Sequence, residues 1–332
     1  MKQGMAEKFR LHEIRPGIFQ LELPTPYPIG PVYVYLIKKD PITLIDVGVN
    51  SPESLTALQK QLQHLGVKIN QIELLLITHS HSDHYGAAQT LKEEGAKAVA
   101  IHPRDWDKVT DRRDYYLRMK PYLAQMGMPS DYLEYFVKFI VWETPYARDL
   151  EEVQNLRDGE LLFWEDLKLE VMHTPGHSPG HVVLLCPKEK WAITGDFIFT
   201  HITPDPIIDI TPSGYRTPSM PLHMESLKRF AARGITTFFP GHRERKGKTE
   251  AALKEMKKRM KHKRESYLEI LAKGPLTPFQ LMRRLYPTSR KGEAFVLLSE
   301  VIGRLDLLEI DEAVISWREA GLIFYGLKEG KI

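Results

Sequence analysis

The chain has 332 residues, of which 42% are hydrophobic and 27% are charged. This length exceeds the usual size of one domain, so we expect two domains and a substantial buried core. No uninterrupted apolar run of about 18 residues occurs, and the charged first residues lack the apolar segment of a secretory signal. We therefore expect a cytoplasmic protein with no membrane span. Cys186 is the only cysteine, which excludes a disulfide within the chain and leaves His and carboxylate groups as metal ligands.

The net charge of +3 is unevenly distributed along the chain. Residues 243–332 hold 20 Lys and Arg against 13 Asp and Glu, whereas residues 1–242 hold 26 against 30. A mildly acidic body with a basic tail is typical of proteins that bind a polyanion, although solubility alone explains it equally well.

The first half of the chain alternates between short apolar segments and segments with helical spacing of leucines. The apolar, β-branched segments predict strands at 16–23, 31–38, 42–48, 72–79 and 96–102. The leucine spacing predicts helices at 52–65, with Ser51 as the N-cap, and at 87–94. This alternation is typical of a layered α/β fold.

Residues 103–150 have a different character, with helical patterning and many aromatic side chains. An insertion of this kind is a lid over a site, a dimerisation surface that would make the protein a homodimer, or a plain pair of core helices. The sequence does not decide among the three.

Strand patterns resume in the second half of the chain, at 159–164, 167–173, 181–186, 190–195 and 235–240, with a helix at 222–233 before the last of them. From residue 248 the pattern becomes helical, at 248–273, 277–286 and 293–305, and two apolar segments, LLEIDEAVISW and AGLIFYGL, then predict a hairpin. Helices followed by a two-stranded wing are typical of a winged helix. We therefore expect a first domain at 1–247 that includes the insertion, and a winged-helix-like domain at 248–332.

Polar side chains that can bind metal stand at the ends of four predicted strands. They are His79, His81, Asp83 and His84 in LLLITHSHSDHYG, His177 in LEVMHTPGHSPGH, Asp196 in KWAITGD and His242 in TTFFPGH. Strand ends in layered α/β folds point their loops at one common face, where ligands bind. The sequence therefore predicts a metal site at this face.

The spacing within the first cluster has a geometric reason. His79 and His81 project to the same side of an extended segment, so they can bind one ion together. Asp83 and His84 fall at the turn into the next helix and project toward a second ion, and Gly86 permits the tight turn. A carboxylate such as Asp196 has two oxygens and can bridge two cations.

These motifs resemble those of a known family. THSHSDHYG matches the T-H-x-H-x-D-H signature of the metallo-β-lactamase superfamily, and TPGHSPGH, TGD and PGH follow in that family's order across residues 16–245. The resemblance implies an α/β fold, the αβ/βα sandwich of two mixed sheets with helices outside. It also implies that His79, His81 and His177 bind one metal, that Asp83, His84 and His242 bind the second, and that Asp196 bridges the two.

The resemblance extends to the neighbours of these ligands. It implies that Asp46 is a hydrogen-bond partner of a ligand, with a simple turn aspartate as the alternative. His173 and His181 are interpreted as packing residues or partners of ligands rather than as ligands.

Nitrogen and oxygen ligands without thiolate favour two zinc ions, with iron or manganese as alternatives. Two such cations lower the pKa of a bound water from about 15.7 toward about 7, and the resulting hydroxide attacks a carbonyl or a phosphorus. Asp83 can orient this nucleophile or accept its proton. The superfamily's di-iron flavoprotein oxidases carry a carboxylate where this chain has His81, so hydrolysis is favoured over redox chemistry.

The substrate is less constrained by the sequence. The tail resembles that of β-lactamase-like hydrolases whose relatives include a single-strand-specific endoribonuclease, and residues 243–264 hold 11 Lys and Arg against three Glu. Single-stranded RNA is therefore the most specific hypothesis, although this stretch is equally well interpreted as a solvated linking helix. The second hypothesis is a hydroxyacylglutathione-hydrolase-like thioesterase or a lactonase, although those hydroxyacylglutathione enzymes usually carry a third histidine at the position of Ser80. The third is a winged-helix nucleic-acid-binding protein with a sensory metal domain.

Overall fold

A computed structural model of the protein describes residues 11–204 and 206–328. Two mixed β-sheets face each other at its centre. The first sheet has seven strands in chain order, antiparallel from β1 to β4 and parallel from β4 to β7. Its strands are β1 (His12–Arg15), β2 (Ile18–Leu23), β3 (Val32–Ile37), β4 (Thr43–Ile45), β5 (Leu74–Leu76), β6 (Ala98–Ile101) and β7 (Gln154–Asn155).

The second sheet has six strands in the spatial order β13-β12-β11-β10-β9-β8, and only its β11–β12 pair is parallel among the described strands. Its strands are β8 (Leu161–Trp164), β9 (Leu167–His173), β10 (Val182–Cys186), β11 (Trp191–Gly195), β12 (Thr237–Pro240) and β13 (Gly247–Lys248). Side chains from both inner faces, including Tyr35, Trp164 and Trp191, form the core between the sheets. Each large apolar side chain buried there contributes roughly 1.5–3 kcal/mol.

Helices cover the outer face of each sheet, because each carries one apolar stripe that must be buried. Leu58 and Leu62 of the first helix pack on the first sheet, and Leu227 and Phe230 pack on the second. The helices up to this point are α1 (Pro52–His64), α2 (Ser82–Tyr85), α3 (Ala88–Glu93), α4 (Trp106–Thr110), α5 (Arg112–Gln125), α6 (Ser130–Glu143) and α7 (Ser219–Ala232). The predicted αβ/βα sandwich of two mixed sheets is confirmed.

Local differences from the sequence expectations have physical causes. β4 and β5 end at Ile45 and Leu76, earlier than predicted, because the chain leaves both strands to form the site. Asp46 there has a left-handed backbone with φ of 57°. The short edge strands β1, β7 and β13 have too few residues to produce an alternating pattern. Ser51 caps α1 as predicted, since its Oγ accepts a hydrogen bond from Ser54 N.

The C-terminal part contains three helices and a two-stranded sheet, namely α8 (Thr249–Leu271), α9 (Pro278–Leu285), α10 (Ala294–Ile310), β14 (Val314–Glu319) and β15 (Leu322–Leu327). α10 continues five residues beyond the predicted end at 305, so LLEI is helical rather than part of the hairpin. The order of elements is the predicted one, and the assignment as a winged helix stays a prediction. Within the described residues, no helix is both long and apolar enough to cross a bilayer.

The 103–150 insertion packs against this C-terminal part. Tyr115, Met119 and Phe136 of α5 and α6 share one buried cluster with Tyr267 and Leu298 of α8 and α10. The insertion therefore contributes its apolar face to a core that it shares with the end of the chain.

Candidate metal centre

The loop that follows β5 and the short helix α2 carry the first cluster of predicted ligands. His79 and His84 are fully buried, and the His79 Nε2 and His81 Nδ1 atoms lie 3.0 Å apart. His81 lies immediately before α2, and Asp83 lies within it together with His84. The rings of His79 and His81 come together although β5 has already ended, so the loop rather than an extended strand sets their geometry.

The remaining predicted ligands come from the ends of three strands of the second sheet. His177 follows β9, Asp196 follows β11 and His242 follows β12. Asp196 Oδ1 lies 3.4 Å from His84 Nε2, and Asp196 Oδ2 lies 3.6 Å from His177 Nε2 and 3.7 Å from His242 Nε2. Asp196 therefore lies between the side chains of the two halves of the site.

All seven predicted ligands converge into overlapping groups whose ligand atoms lie within 4.8 Å of one another. The groups are His79, His81 and His177; His79, His84 and Asp196; and Asp83, His84 and His242. Two of these groups coincide with the two ligand sets that the family resemblance implies, and the third contains Asp196. The arrangement could hold two cations with a carboxylate between them.

Hydrogen bonds on the far side of the imidazoles fix their orientation. His84 Nδ1 lies 2.8 Å from Asp46 Oδ2, and Asp46 also accepts hydrogen bonds from the backbone N and the Oγ1 of Thr78, both at 2.8 Å. His242 Nδ1 lies 2.8 Å from the carbonyl oxygen of Pro31. In both histidines Nδ1 is the donor and Nε2 is directed into the site. Burial alone would lower the pKa of both imidazoles, but Asp196 and the neighbouring carboxylates outweigh it and raise the pKa, so a metal ion at Nε2 would take the place of a proton.

Several of the inward-facing atoms lack a hydrogen bond although they are buried. Within the described part of the chain, His84 Nε2, His242 Nε2 and Asp196 Oδ1 have no hydrogen-bond partner. A buried polar atom without a partner costs about 1–3 kcal/mol, so such a group requires a compensating interaction. A divalent metal ion supplies that interaction, and the residues present therefore fit metal ions.

Burial and mutual repulsion keep part of the site in the form that binds metal. Burial, followed by His84 and His81, holds the pKa of His79 well below its usual value, and burial with His177 lowers the pKa of His81 to about 3. Burial alone would raise the pKa of Asp83, but His84 and His242 outweigh it and bring this pKa to about 2. At neutral pH these imidazoles are neutral and this carboxylate is ionised, which are the states that ligate metal.

The two neighbouring histidines lie outside these groups. His173 stacks on His102 with ring centroids 3.9 Å apart, and His173 Nε2 donates to the carbonyl oxygen of Pro179. His181 is buried with its Nδ1 2.9 Å from Thr174 Oγ1, and its ring lies 5.0 Å from that of His79. These positions agree with the interpretation of both as packing residues or partners of ligands.

Two glycines allow the backbone to approach the site closely. Gly86 lies in the turn between α2 and α3, but its φ of −53° is one that any residue adopts, so the turn itself does not require glycine. A Cβ at Gly86 would instead lie 2.2 Å from Tyr146 O and 2.3 Å from Ser82 O. A Cβ at Gly241 would lie 2.6 Å from Asp196 Oδ1. Both positions exclude a side chain because of close contact.

A family model described as the metallo-β-lactamase superfamily matches residues 27–242, which is more than half of the chain and contains all seven residues. The chain belongs to the metallo-β-lactamase superfamily. Among relatives, it is 29% identical over 317 residues to the probable metallo-hydrolase YqjP of Bacillus subtilis (strain 168), covering 93% of this chain and 97% of YqjP. It is also 29% identical over 129 residues to the hydroxyacylglutathione hydrolase GloC of Haemophilus influenzae, covering 39% of this chain and 50% of GloC.

Two solved structures have a similar fold over nearly the whole chain. The metallo-β-lactamase family protein TTHA1429 from Thermus thermophilus aligns with a TM-score of 0.81 and 24% identity, covering 95% of this chain and 100% of that one. A β-lactamase domain protein from Burkholderia ambifaria aligns with a TM-score of 0.81 and 17% identity, covering 96% and 94%. The shared fold therefore extends beyond the residues that the metallo-β-lactamase family model matches.

A cavity of about 1030 Å³ opens onto the metallo-β-lactamase site, with His81, Asp83, His177 and Asp196 in its wall. The β2–β3 loop, the insertion, the segment after β11 and the chain from the end of α9 to the start of α10 form the other walls. Most of their lining side chains are apolar or aromatic, including Tyr27, Ile29, Tyr115, Tyr116, Phe139, Phe199, Ile202, Ile207, Leu285, Tyr286, Phe295, Val296 and Leu297. A substrate in this cavity is in contact with both the candidate metal centre and the C-terminal part.

Sequence reasoning missed two buried carboxylates beside the metallo-β-lactamase motif, Asp105 and Glu143. Asp105 follows β6, which is a parallel neighbour of β5, so the strand-end reasoning that found His79 could also have found it. Glu143 is the last residue of α6. It has no local sequence signal, because a helix end in an insertion carries no indication of which loop it contacts.

Proposed function

We propose that this metal-dependent hydrolase of the metallo-β-lactamase fold cleaves an acyl ester or thioester, with the acyl group bound in the cavity described above. The observation that carries the proposal is the position of the candidate metal centre in the wall of a large, mainly apolar cavity. Pockets of this size and character typically enclose a small organic ligand and orient it with a few polar groups. The names of YqjP, a probable metallo-hydrolase, and GloC, a hydroxyacylglutathione hydrolase, are consistent with this class.

In the proposed site, His79, His81 and His177 hold one ion, Asp83, His84 and His242 hold the second, and Asp196 bridges them. Zinc is the preferred metal, because the donors are imidazole and carboxylate and lack thiolate, with iron or manganese as alternatives. When bound, two such ions polarise the substrate carbonyl and make water acidic enough to attack it at neutral pH.

The protein's own residues supply orientation and a proton acceptor. Asp46 and the Pro31 carbonyl hold His84 and His242 with Nε2 directed inward. Asp83 lines the cavity and is ionised at neutral pH, so its carboxylate can accept a proton from the attacking water. As the water oxygen bonds to the acyl carbon, the C–O or C–S bond breaks and the leaving group takes up that proton.

The proposal is tested by metal analysis together with a series of p-nitrophenyl esters and acyl thioesters of increasing chain length. We expect hydrolysis by the metal-loaded protein and its loss in Asp83→Asn, because a neutral amide neither accepts the proton nor replaces the carboxylate as a ligand of the second ion. An absence of ester and thioester hydrolysis by a protein that contains metal would overturn the proposed substrate class.

The role of the cavity has its own test within α10. Val296→Trp adds a large side chain to the cavity wall, whereas Ile310→Trp adds the same side chain at the exposed end of the same helix. We expect Val296→Trp to lower kcat/KM for long acyl chains about tenfold while sparing the shortest one, since overfilling a packed site costs about 1–3 kcal/mol. Ile310→Trp should behave as the parent, and equal behaviour of the two variants would contradict binding in the cavity.

A second candidate function, cleavage of single-stranded RNA, is favoured by one observation on α8. Lys254, Lys257, Lys258 and Lys261 are exposed and lie at helical spacing that places them on one face. Such a basic row can follow a phosphate backbone. Of the described residues that line the cavity, however, none belongs to α8, so this row lies apart from the cavity wall and the esterase proposal ranks first.

The RNA candidate is tested with a single-stranded oligoribonucleotide at increasing salt concentration. If the candidate is correct, the protein cleaves the oligonucleotide, cleavage weakens as salt rises, and replacing the four lysines by glutamine lowers the salt dependence. Hydrolysis of esters without cleavage of the oligonucleotide would eliminate it.

A further inference from the structure

We propose that Asp105 and Glu143, two buried carboxylates of the 103–150 insertion, are positioning residues that set the geometry of the metal ligands. The inference rests on the proposed function, because it concerns the same ligands. It assigns the insertion a role other than the lid or dimer surface considered from the sequence.

Asp105 joins the two loops that carry the ligands of the first predicted metal. Its Oδ2 accepts hydrogen bonds from the backbone N of Ser80 at 3.0 Å and from Ser178 Oγ at 2.6 Å, and its Oδ1 accepts one from Gly180 N at 2.9 Å. Ser80 lies between His79 and His81 in the chain, and Ser178 follows His177. One fully buried carboxylate therefore fixes the backbone beside all three ligands of that set.

Glu143 contacts the same ligand loop at Ser82, two residues after the Ser80 contact of Asp105. Its Oε1 accepts a hydrogen bond from Ser82 Oγ at 2.6 Å and one from the Tyr27 hydroxyl at 3.0 Å. Ser82 lies between His81 and Asp83, at the start of α2. The insertion thus contacts both residues that alternate with the ligands in His-Ser-His-Ser-Asp-His.

Each carboxylate has a cation from the insertion beside it, which offsets the cost of burying its charge. Lys108 Nζ lies 3.8 Å from Asp105 Oδ1, and Arg112 Nη2 lies 2.5 Å from Glu143 Oε2. Arg112 therefore forms a close ion pair with Glu143, whereas Lys108 lies nearer to Asp209, at 3.1 Å, and is shared between that aspartate and Asp105. Because α5 and α6 are packed into the C-terminal core, that core also supports the ligand loops.

The test uses Asp105→Asn and Glu143→Gln, which keep the size of the side chain. In Asp105→Asn the new amide NH₂ faces groups that are themselves donors, so at least one hydrogen bond is lost. Asp107→Asn is the matched control, because Asp107 is paired with Lys108 and Arg118 in the same segment but contacts neither ligand loop. Ser178→Ala removes one hydrogen bond to Asp105, and Ser82→Ala removes the hydrogen bonds to Glu143 and to the Tyr27 hydroxyl. Both smaller changes guard against a carboxylate variant that fails to fold.

Co²⁺ titration of the metal-free protein, followed by visible absorption, measures ligand geometry without any substrate. We expect Asp105→Asn and Glu143→Gln to weaken Co²⁺ binding by about 10- to 100-fold and to alter its spectrum, as removal of partners of metal ligands generally does. We expect kcat to fall with little change in KM, a smaller effect of the same kind in the two serine variants, and parental behaviour of Asp107→Asn.

The outcomes separate this inference from the proposed function. If the parent protein binds no Co²⁺, the metal centre itself is wrong. If the parent binds Co²⁺ but the carboxylate and serine variants match it in affinity and spectrum, the positioning role is overturned while the metal centre stands. If Asp107→Asn loses as much affinity as Asp105→Asn, a general effect of charge explains the result and the positioning role is again overturned.

Discussion

The two walls of the cavity differ in how they are built. The first, the polar wall, is formed by the candidate metal centre and exposes four of the seven predicted ligands to the cavity. The other three are fully buried beside them, and single hydrogen bonds, such as that between Asp46 and His84, set the orientation of their side chains. The opposite wall, the apolar wall, includes side chains of helices α5, α6 and α10. An apolar core around Met119 and Leu298 holds these helices together. The first wall can determine which bond is broken, and the second can determine which molecule is bound.

The largest effect should follow from removing a ligand on the polar wall. His79→Ala deletes a fully buried imidazole that belongs to two of the three groups of ligand atoms. The ions are expected to stabilise the transition state by several kcal/mol, so we expect kcat/KM to fall about 10³-fold or more. Steady-state kinetics and the metal content per chain check this. Full activity with full metal content would contradict the ligand role.

A change in the apolar wall should act on stability instead. Leu298→Ala opens a cavity in the cluster that the insertion shares with the C-terminal helices, and we expect the free energy of unfolding to fall by about 2–5 kcal/mol. Denaturant unfolding measures it. The metal content of the folded protein should stay at the parental value. A loss of metal with an unchanged free energy of unfolding would show that this wall acts on metal binding rather than on stability, and would contradict the prediction.

A smaller effect should come from the partner of a ligand on the polar wall. Asp46→Asn weakens the hydrogen bond that orients His84, so we expect metal affinity or kcat to decrease about 10- to 100-fold. Competition with a chromophoric chelator measures the affinity. If Asp46 is only a turn residue, the variant will lose stability without losing metal affinity.

The smallest effect should come from removing one positive charge on the apolar wall. Arg290, in the α9–α10 connection, lines the cavity and forms no ion pair with any residue that the structure describes. Arg290→Ala should raise KM for an acyl ester with a negatively charged leaving group by about 2- to 5-fold, the effect of an exposed ion pair. A neutral ester of the same acyl chain is the control, and an equal change for both esters would exclude a role of the charge.

The polar wall was predictable from the sequence because its residues follow a local rule. Each group of ligands follows an apolar strand, and the ends of such strands meet at one face of a layered sheet, so His79, Asp196 and His242 could be grouped without knowing the fold in detail. Asp46 was predicted to be the hydrogen-bond partner of a ligand only because the motifs resemble those of the family, and the structure places it beside His84.

The other wall was not predictable, because its contacts link segments that are far apart in the chain. Glu143 lies 61 residues from Ser82, and no spacing rule relates the two. The packing of the insertion on α8 and α10 likewise depends on which apolar faces meet, which the periodicity of a helix does not specify. The end of α10 was misplaced for a simpler reason, since leucine and isoleucine at 307–310 suit a helix and a strand alike.

The shared apolar core has a consequence for any attempt to shorten the chain. Cutting at 247/248, the boundary that the sequence suggests, would remove Ala252 and Met256 from the outer face of the second sheet and would uncover Met119 and Phe136 of the insertion. The truncated fragment would expose a large hydrophobic surface to water and would aggregate, even though it retains all seven predicted metal ligands.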